Sequence, residues 1–201
     1  MATDFDFKSR HILDVIHMIE DYRLDIRTVT MGISLIGCTR STMDETSQAV
    51  YDRVNERAAE LVAVCESIER ELGIPIVNKR VSVSPIALVA AGASGNPVEI
   101  ARALDRAANE LGVDFVGGYS ALVEKGATSA DAALISSIPE ALSETERVCS
   151  SVNVATSRAG INMDAVGIMG RVIKEAAQLT ADHSSIACAK LVVFANAVGD
   201  N

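Results

Sequence analysis

Hydroxyl, amide and guanidinium side chains are concentrated in the segments that follow five predicted strands of this 201-residue chain. These segments are residues 38–42, 84–96, 117–125, 153–162 and 196–201. Together with backbone amides at helix starts, such side chains suit a small anionic or polar metabolite. The candidate ligand-binding residues are Arg40, Tyr119, Ser120, Asn153, Ser157, Arg158 and Asn162, and Cys38 is a candidate reactive thiol.

Three of these candidates have a structural alternative. Arg158 lies in a predicted strand-to-helix loop, where it could contact a ligand or clamp neighbouring backbone carbonyls. Arg40 could contact a ligand or simply be solvated. Cys38 would react as a nucleophile only if its surroundings lowered the pKa of the thiol.

Hydrophobic periodicity predicts the elements that position these side chains. Strands are predicted at residues 26–36, 76–84, 113–119, 147–154 and 188–195. Helices are predicted at residues 8–24, 44–72, 97–111, 129–142 with a break at Pro139, and 163–179. Residues 85–93 could be a short helix or irregular. The predicted inner face of the last helix is formed by Val166, Met169, Val172, Ile173 and Ala176.

This alternation predicts a single α/β domain over residues 1–201, with five parallel strands joined by right-handed crossovers. The carboxyl ends of parallel strands meet at one edge of the sheet, and ligands of α/β proteins bind there. We therefore expect the five segments to converge on one site.

Composition argues against several classes of function. A net charge of -9 and an aromatic content of 3% disfavour nucleic acid, which needs basic and stacking surfaces. The cysteines and histidines lack zinc-ligand spacing, so no metal site is expected. There is no Walker or dinucleotide glycine pattern and no Ser/His/Asp order, and no particular cofactor is indicated. Without a membrane-spanning apolar run or a secretory signal, we expect a cytoplasmic protein.

Four segments together resemble a known family: DIRTVTMGISLIGC, VDFVGGYSALVEKG, VCSSVNVATSRAGINMDAVGIMG and CAKLVVFANA. The chain is similar, from Asp25 to its last residue, to an uncharacterised prokaryotic family whose members are often labelled "PFL family protein". The resemblance implies the pyruvate formate-lyase-like barrel, in which ten strands form two five-stranded parallel halves set antiparallel to each other. Glycyl radical enzymes share this architecture, and this chain would supply the amino-terminal half.

The resemblance does not supply a reaction, because the half that would carry a radical cysteine lies outside this sequence. It implies an ACT-domain protein as a partner, and we also expect a homo-oligomer. Three hypotheses stay open. The chain could be an enzyme acting on a small anion, a metabolite-binding or regulatory protein without catalysis, or a truncated half-barrel that needs a partner.

Overall fold

The computed structural model describes residues 12–18, 20–21 and 26–198, and its centre is one five-stranded parallel sheet. The strands are β1 (Ile26–Ile33), β2 (Ile76–Val83), β3 (Phe115–Leu122), β4 (Val148–Asn153) and β7 (Leu191–Phe194), and they lie side by side in that order. A two-stranded antiparallel hairpin is formed by β5 (Ala155–Thr156) and β6 (Gly160–Ile161). The predicted α/β class with five parallel strands is confirmed.

Helices connect the strands, and local signals set their ends. They are α1 (Met43–Ala58), α2 (Leu61–Leu72), α3 (Ile86–Ala90), α4 (Val98–Leu111), α5 (Ser129–Glu144), α6 (Met163–Leu179) and α7 (Ile186–Ala189). The hydroxyl of Thr128 and the carboxylate of Asp131 form a reciprocal capping box at the start of α5. Gly112 ends α4 in the left-handed conformation, with a φ of 71°. None of the described helices is both long and apolar enough to cross a membrane.

The strand order leaves the two faces of the sheet in different environments. Right-handed crossovers that always step to the next strand place their helices on one face. That face carries the buried core, which includes Ile33, Val81, Val116, Val152 and Tyr119. The opposite face, termed here the open face, carries Thr30, Ser82, Leu122, Ser151 and Phe194, and Phe194 is 49% exposed. Parallel sheets are normally covered on both faces, so the open face is unusual for this class.

A one-residue bulge in β3 decides which face Tyr119 occupies. Gly117 of β3 pairs with Cys149, but Tyr119 pairs with Ser150, the next residue of β4. Gly118 absorbs the extra residue with a φ of 123°. Since successive side chains alternate between faces, the bulge moves Tyr119 to the helix-covered side.

Several predicted elements differ from the structure, and one undecided segment is resolved. The predicted helix at residues 44–72 is interrupted by a turn at Ala59 and Glu60, so α1 and α2 are separate. The predicted break at Pro139 is wrong, because burial of Pro139 and its neighbours in the core offsets the lost backbone bond. The undecided residues 85–93 contain the short helix α3. The predicted last strand begins at Leu191 rather than at residue 188, because residues 186–189 form α7.

Two predicted buried faces are also corrected. Val166 and Ile173 of α6 are 37% and 40% exposed, because the helix packs through Ala165, Met169, Val172 and Ala176 instead. Only residues 12–18 and 20–21 of the predicted helix at residues 8–24 are described. The helical spacing of Ile12, Val15 and Ile16 predicts one buried face for this helix. Residues 12–18 are helical, but Ile12 and Ile16 are 48% and 43% exposed.

Candidate functional site

A cavity of about 670 Å³ lies at the carboxyl ends of β3 and β4, on the edge where the sequence predicts a ligand site. Its apolar wall includes Leu122, the last residue of β3, and Val198. Its polar wall is formed by Glu124, Lys125, Asn153, Thr156 and Arg158. Two of the predicted residues, Asn153 and Arg158, therefore line the same cavity.

The β5–β6 hairpin carries Arg158 and forms one side of the cavity. The hydroxyl of Thr156 accepts a hydrogen bond from the backbone N–H of Ala159 at 3.0 Å, which tightens the turn. The Ser157 N–H donates to the backbone oxygen of Ala197 at 3.0 Å. The hairpin is thereby attached to the chain that follows β7, so two segments distant in sequence close the cavity.

Asn153 ends β4 at the base of the cavity. In one orientation its side-chain nitrogen donates to the backbone oxygens of Ala155, at 2.8 Å, and Phe194, at 3.2 Å. The opposite orientation donates instead to the Glu124 carboxylate at 3.3 Å, and leaves those two oxygens facing the amide oxygen. The first orientation is favoured because it satisfies two acceptors with one group. Asn153 therefore joins β4, the hairpin and β7.

Asn162 does not line the cavity, but its side chain holds two of the segments around it. Its amide oxygen accepts from the Ala165 N–H at 3.1 Å and so caps α6. Its amide nitrogen donates to the backbone oxygen of Val123 at 2.7 Å. Both ends of the amide are used in structural contacts, which makes Asn162 a positioning residue.

The charges around the cavity favour an anionic ligand. Lys125 and Arg158 contribute two positive charges and Glu124 contributes one negative charge. The cavity is therefore locally cationic in a chain whose net charge is -9. Arginine forms bidentate hydrogen bonds to carboxylates and phosphates, whereas lysine acts as a point charge.

The other predicted site residues lie elsewhere. Tyr119 is completely buried, its hydroxyl is 2.6 Å from that of Ser137, and burial raises the pKa of the phenol. Ser120 is also buried and donates to the backbone oxygen of Gly118 at 3.2 Å. Ser157 is exposed in the hairpin and is not part of the cavity wall.

Arg40 and Cys38 lie together at a different place, in the loop after β1. The Arg40 guanidinium donates to the backbone oxygens of Gly37, at 3.1 Å, and Thr39, at 2.8 Å. Cys38 is 3% exposed, and desolvation raises the pKa of its thiol despite the nearby guanidinium groups of Arg53 and Arg40. A raised pKa disfavours the thiolate that a reactive cysteine needs.

The sequence-based candidates omitted Glu124, Lys125 and Thr156. Glu124 and Lys125 belong to the predicted segment 117–125, but neither was singled out there. Their signal is a pair of charged side chains directly after the buried Val123, which follows the last residue of β3. Thr156 lies in the segment 153–162, and its role depends on the hairpin, which has no strong turn dipeptide in the sequence.

A second cavity, of about 650 Å³, lies beside Lys190 at the amino ends of β4 and β7. Lys190 is 7% exposed, and its ammonium donates to the backbone oxygens of Leu142, at 2.8 Å, and Thr145. Desolvation lowers the pKa of Lys190, and the Asp105 carboxylate opposes this shift. Since these oxygens lie at the end of α5, Lys190 serves as a helix cap.

Within the described ranges, no three His, Cys, Asp or Glu side chains come together as a metal-binding group. The fold and the edge cavity define a parallel α/β protein whose polar cavity lies at the carboxyl ends of its strands. The chain belongs to the family described as "Uncharacterised ACR (DUF711)", whose model matches residues 17–201.

Curated relatives of the chain are UPF0210 proteins of bacteria. The protein of Corynebacterium glutamicum is 72% identical over 196 residues, which cover 98% of this chain and 42% of that protein. Those of Listeria monocytogenes and Thermoanaerobacter sp. are 58% identical over 195 residues and 55% identical over 197 residues. These matches cover 96% and 97% of this chain, and 43% of each relative. The chain thus spans less than half the length of these relatives, and the expectation of an uncharacterised prokaryotic family agrees with the matches.

Proposed function

We propose that this chain binds a small carboxylate metabolite in the cavity at the carboxyl ends of β3 and β4. The observation that carries the proposal is the convergence of Lys125 and Arg158, from separate strand-end segments, on one cavity with Glu124. The guanidinium of Arg158 would pair with a carboxylate, and Lys125 would add a second positive charge.

Glu124 narrows the class of ligand further. A carboxylate beside two cations would repel part of a simple dianion but would attract an ammonium group. Amino acids carry a carboxylate and an ammonium on the same carbon atom, and dicarboxylic amino acids carry one more carboxylate for the second cation. Acidic amino acids therefore match the charge pattern of the cavity better than simple dicarboxylates.

Binding without catalysis is the function that we propose. The cavity wall of the described chain contains no cysteine or histidine. Its polar groups, an amide, a threonine hydroxyl, a carboxylate and two cations, are sufficient for recognition. An ACT-domain partner, implied by the resemblance, would be consistent with a regulatory role linked to amino acids.

We also propose that the five-stranded sheet is half of a ten-stranded barrel. Two observations support this: the open face carries Phe194 and Val192 at 49% and 47% exposure, and the relatives are more than twice as long as this chain. Arg80 adds a third observation, because it lies on the open face 5.2 Å above the Phe115 ring and its buried Nε has no hydrogen-bond partner. A carboxylate in a covering layer would pair with the charged guanidinium group of Arg80.

The barrel proposal can be tested by mixing. This chain and the portion of the Corynebacterium glutamicum protein outside the match would be purified separately and combined. Gel filtration with light scattering should show a one-to-one complex, weakened by Arg80→Glu. A dimer of this chain that ignores the added portion would contradict the proposal and favour the homo-oligomer.

A panel of succinate, malate, L-aspartate and L-glutamate tests the binding proposal. We expect the acidic amino acids to raise the melting temperature of the chain most. Arg158→Gln should abolish the increase, whereas Arg171→Gln, on the exposed part of α6, should leave it unchanged. An increase that persists in Arg158→Gln would exclude this cavity as the binding site.

A further inference from the structure

A separate cavity of about 420 Å³ lies along the outer edge of β1, which β2 separates from the strands of the β3–β4 cavity. Its walls are residues 31–33 of the edge strand, Ser34 directly after it, and two arginines of α1, Arg53 and Arg57. This cavity shares no lining residue with the β3–β4 cavity, so the two are separate sites on the sheet.

The backbone of β1 presents hydrogen-bond donors to this cavity. The backbone oxygen of Ile33 accepts from the Ser84 N–H at 3.3 Å, and the Leu35 N–H donates to the Ser84 hydroxyl at 3.1 Å. The polar groups of Ile33 and Leu35 therefore point toward the β2 side. In a parallel ladder, alternate residues point to opposite sides of the strand, so the N–H groups of Gly32 and Ser34 point outward. They face the cavity that the two arginines line.

Arg53 and Arg57 are one helical turn apart, so their side chains lie on the same face of α1. Two like charges at this spacing destabilise a helix modestly unless an anion lies between them. The Glu56 carboxylate is 3.8 Å from Nε of Arg53. Glu56 and Asp52, however, line the neighbouring cavity with Cys38 and Arg40, and neither lines the cavity at the β1 edge.

We infer that the β1-edge cavity is a binding site for a small oxyanion, a phosphate or carboxylate group. Two guanidinium groups would form charge-assisted hydrogen bonds to its oxygens, and the outward N–H groups of Gly32 and Ser34 would complete the shell. The Ser34 side chain, exposed at the rim, would add a hydroxyl donor. At about 420 Å³ the cavity has room for an organic group attached to the anion.

Titration of the isotope-labelled chain with inorganic phosphate, followed by amide NMR, tests this inference. Phosphate in low-salt buffer should shift the amide signals of Gly32 and Ser34 along a saturable curve. Arg57→Gln should raise the dissociation constant by about tenfold or more, because one charge-assisted contact is lost. A parallel titration with succinate shows whether a carboxylate serves as well as a phosphate.

Two control variants separate this site from the other cavity. Arg171→Gln and Arg158→Gln should leave the phosphate titration within about twofold of the unmodified chain. The inference is overturned if phosphate does not shift Gly32 and Ser34, or if Arg57→Gln and Arg53→Gln both bind it normally. If none of the carboxylates bound in the β3–β4 cavity, this inference would be unaffected, because the two cavities share no lining residue.

Discussion

The side-chain amide of Asn162 donates a 2.7 Å hydrogen bond to the backbone oxygen of Val123, and so joins the start of α6 to the end of β3. Glu124 and Lys125 follow Val123 directly, whereas Arg158 lies four residues before Asn162. The bond thus links the two segments that supply the charged wall of the edge cavity. The position of these charges depends on a residue that does not line the cavity.

Replacing Asn162 separates its two roles. Asn162→Ala removes the cap of α6 and the bond to Val123, and should lower the free energy of unfolding by about 2 kcal/mol. Asn162→Asp keeps an acceptor for the Ala165 N–H but loses the donor, so we expect about half of that loss. Urea unfolding measures both values. Equal stability of the alanine variant and the unmodified chain would contradict this role.

The paired glycines of β3 give a second, internally controlled prediction. A Cβ at Gly118 would lie 2.5 Å from Cγ2 and 2.6 Å from the backbone oxygen of Val83, at a φ of 123°. Gly118→Ala should therefore cost about 3 kcal/mol or more, or prevent folding. A Cβ at Gly117 would meet nothing within 4 Å, so Gly117→Ala should be nearly neutral. Thermal unfolding of the two variants should show this contrast, and similar melting temperatures would argue against the bulge.

The buried phenol of Tyr119 should make the free energy of unfolding depend on pH in the alkaline range. Burial raises the pKa of its phenol above the ordinary value of 10.0, so the folded chain holds this proton more tightly than the unfolded chain. The stabilisation is complete below pH 10 and is lost as the pH rises further, by up to about 1.4 kcal/mol per pH unit. Tyr119→Phe should show a shallower loss between pH 10 and 11 in urea unfolding. Identical slopes for both proteins would contradict a buried, protonated phenol.

The sequence predicts the fold well where end signals and periodicity agree. The helix predicted at residues 163–179 is observed as α6 with the same bounds, because Asn162 supplies a clear cap. Its inner face was predicted less well, because Val166 and Ile173 are as apolar as the residues that are buried. Periodicity shows that a helix has an apolar side, but only the neighbouring helix shows how much of that side is covered.

The site was partly predictable for the same reason. Parallel strands bring their carboxyl ends to one edge, so strand order alone predicts that Asn153 and Arg158 lie near each other, and both line the edge cavity. Tyr119 was predicted in the segment at the end of a strand over residues 113–119, but β3 continues to Leu122 and the bulge at Gly118 turns Tyr119 toward the buried core. A pair of glycines in the sequence does not reveal a bulge. The pairing of the hairpin with residue 197 depends on contacts between distant segments, which no local pattern contains.

The central claim is that Arg158 and Lys125 bind one carboxylate ligand in the cavity at the ends of β3 and β4. Calorimetric titration with whichever of succinate, malate, L-aspartate and L-glutamate raises the melting temperature most tests it directly. We predict that Arg158→Gln and Lys125→Gln each raise the dissociation constant by about tenfold or more. Arg171→Gln should leave it within about twofold of the value for the unmodified chain. The claim is contradicted if no ligand of the panel binds, or if all three variants bind it as tightly as the unmodified chain.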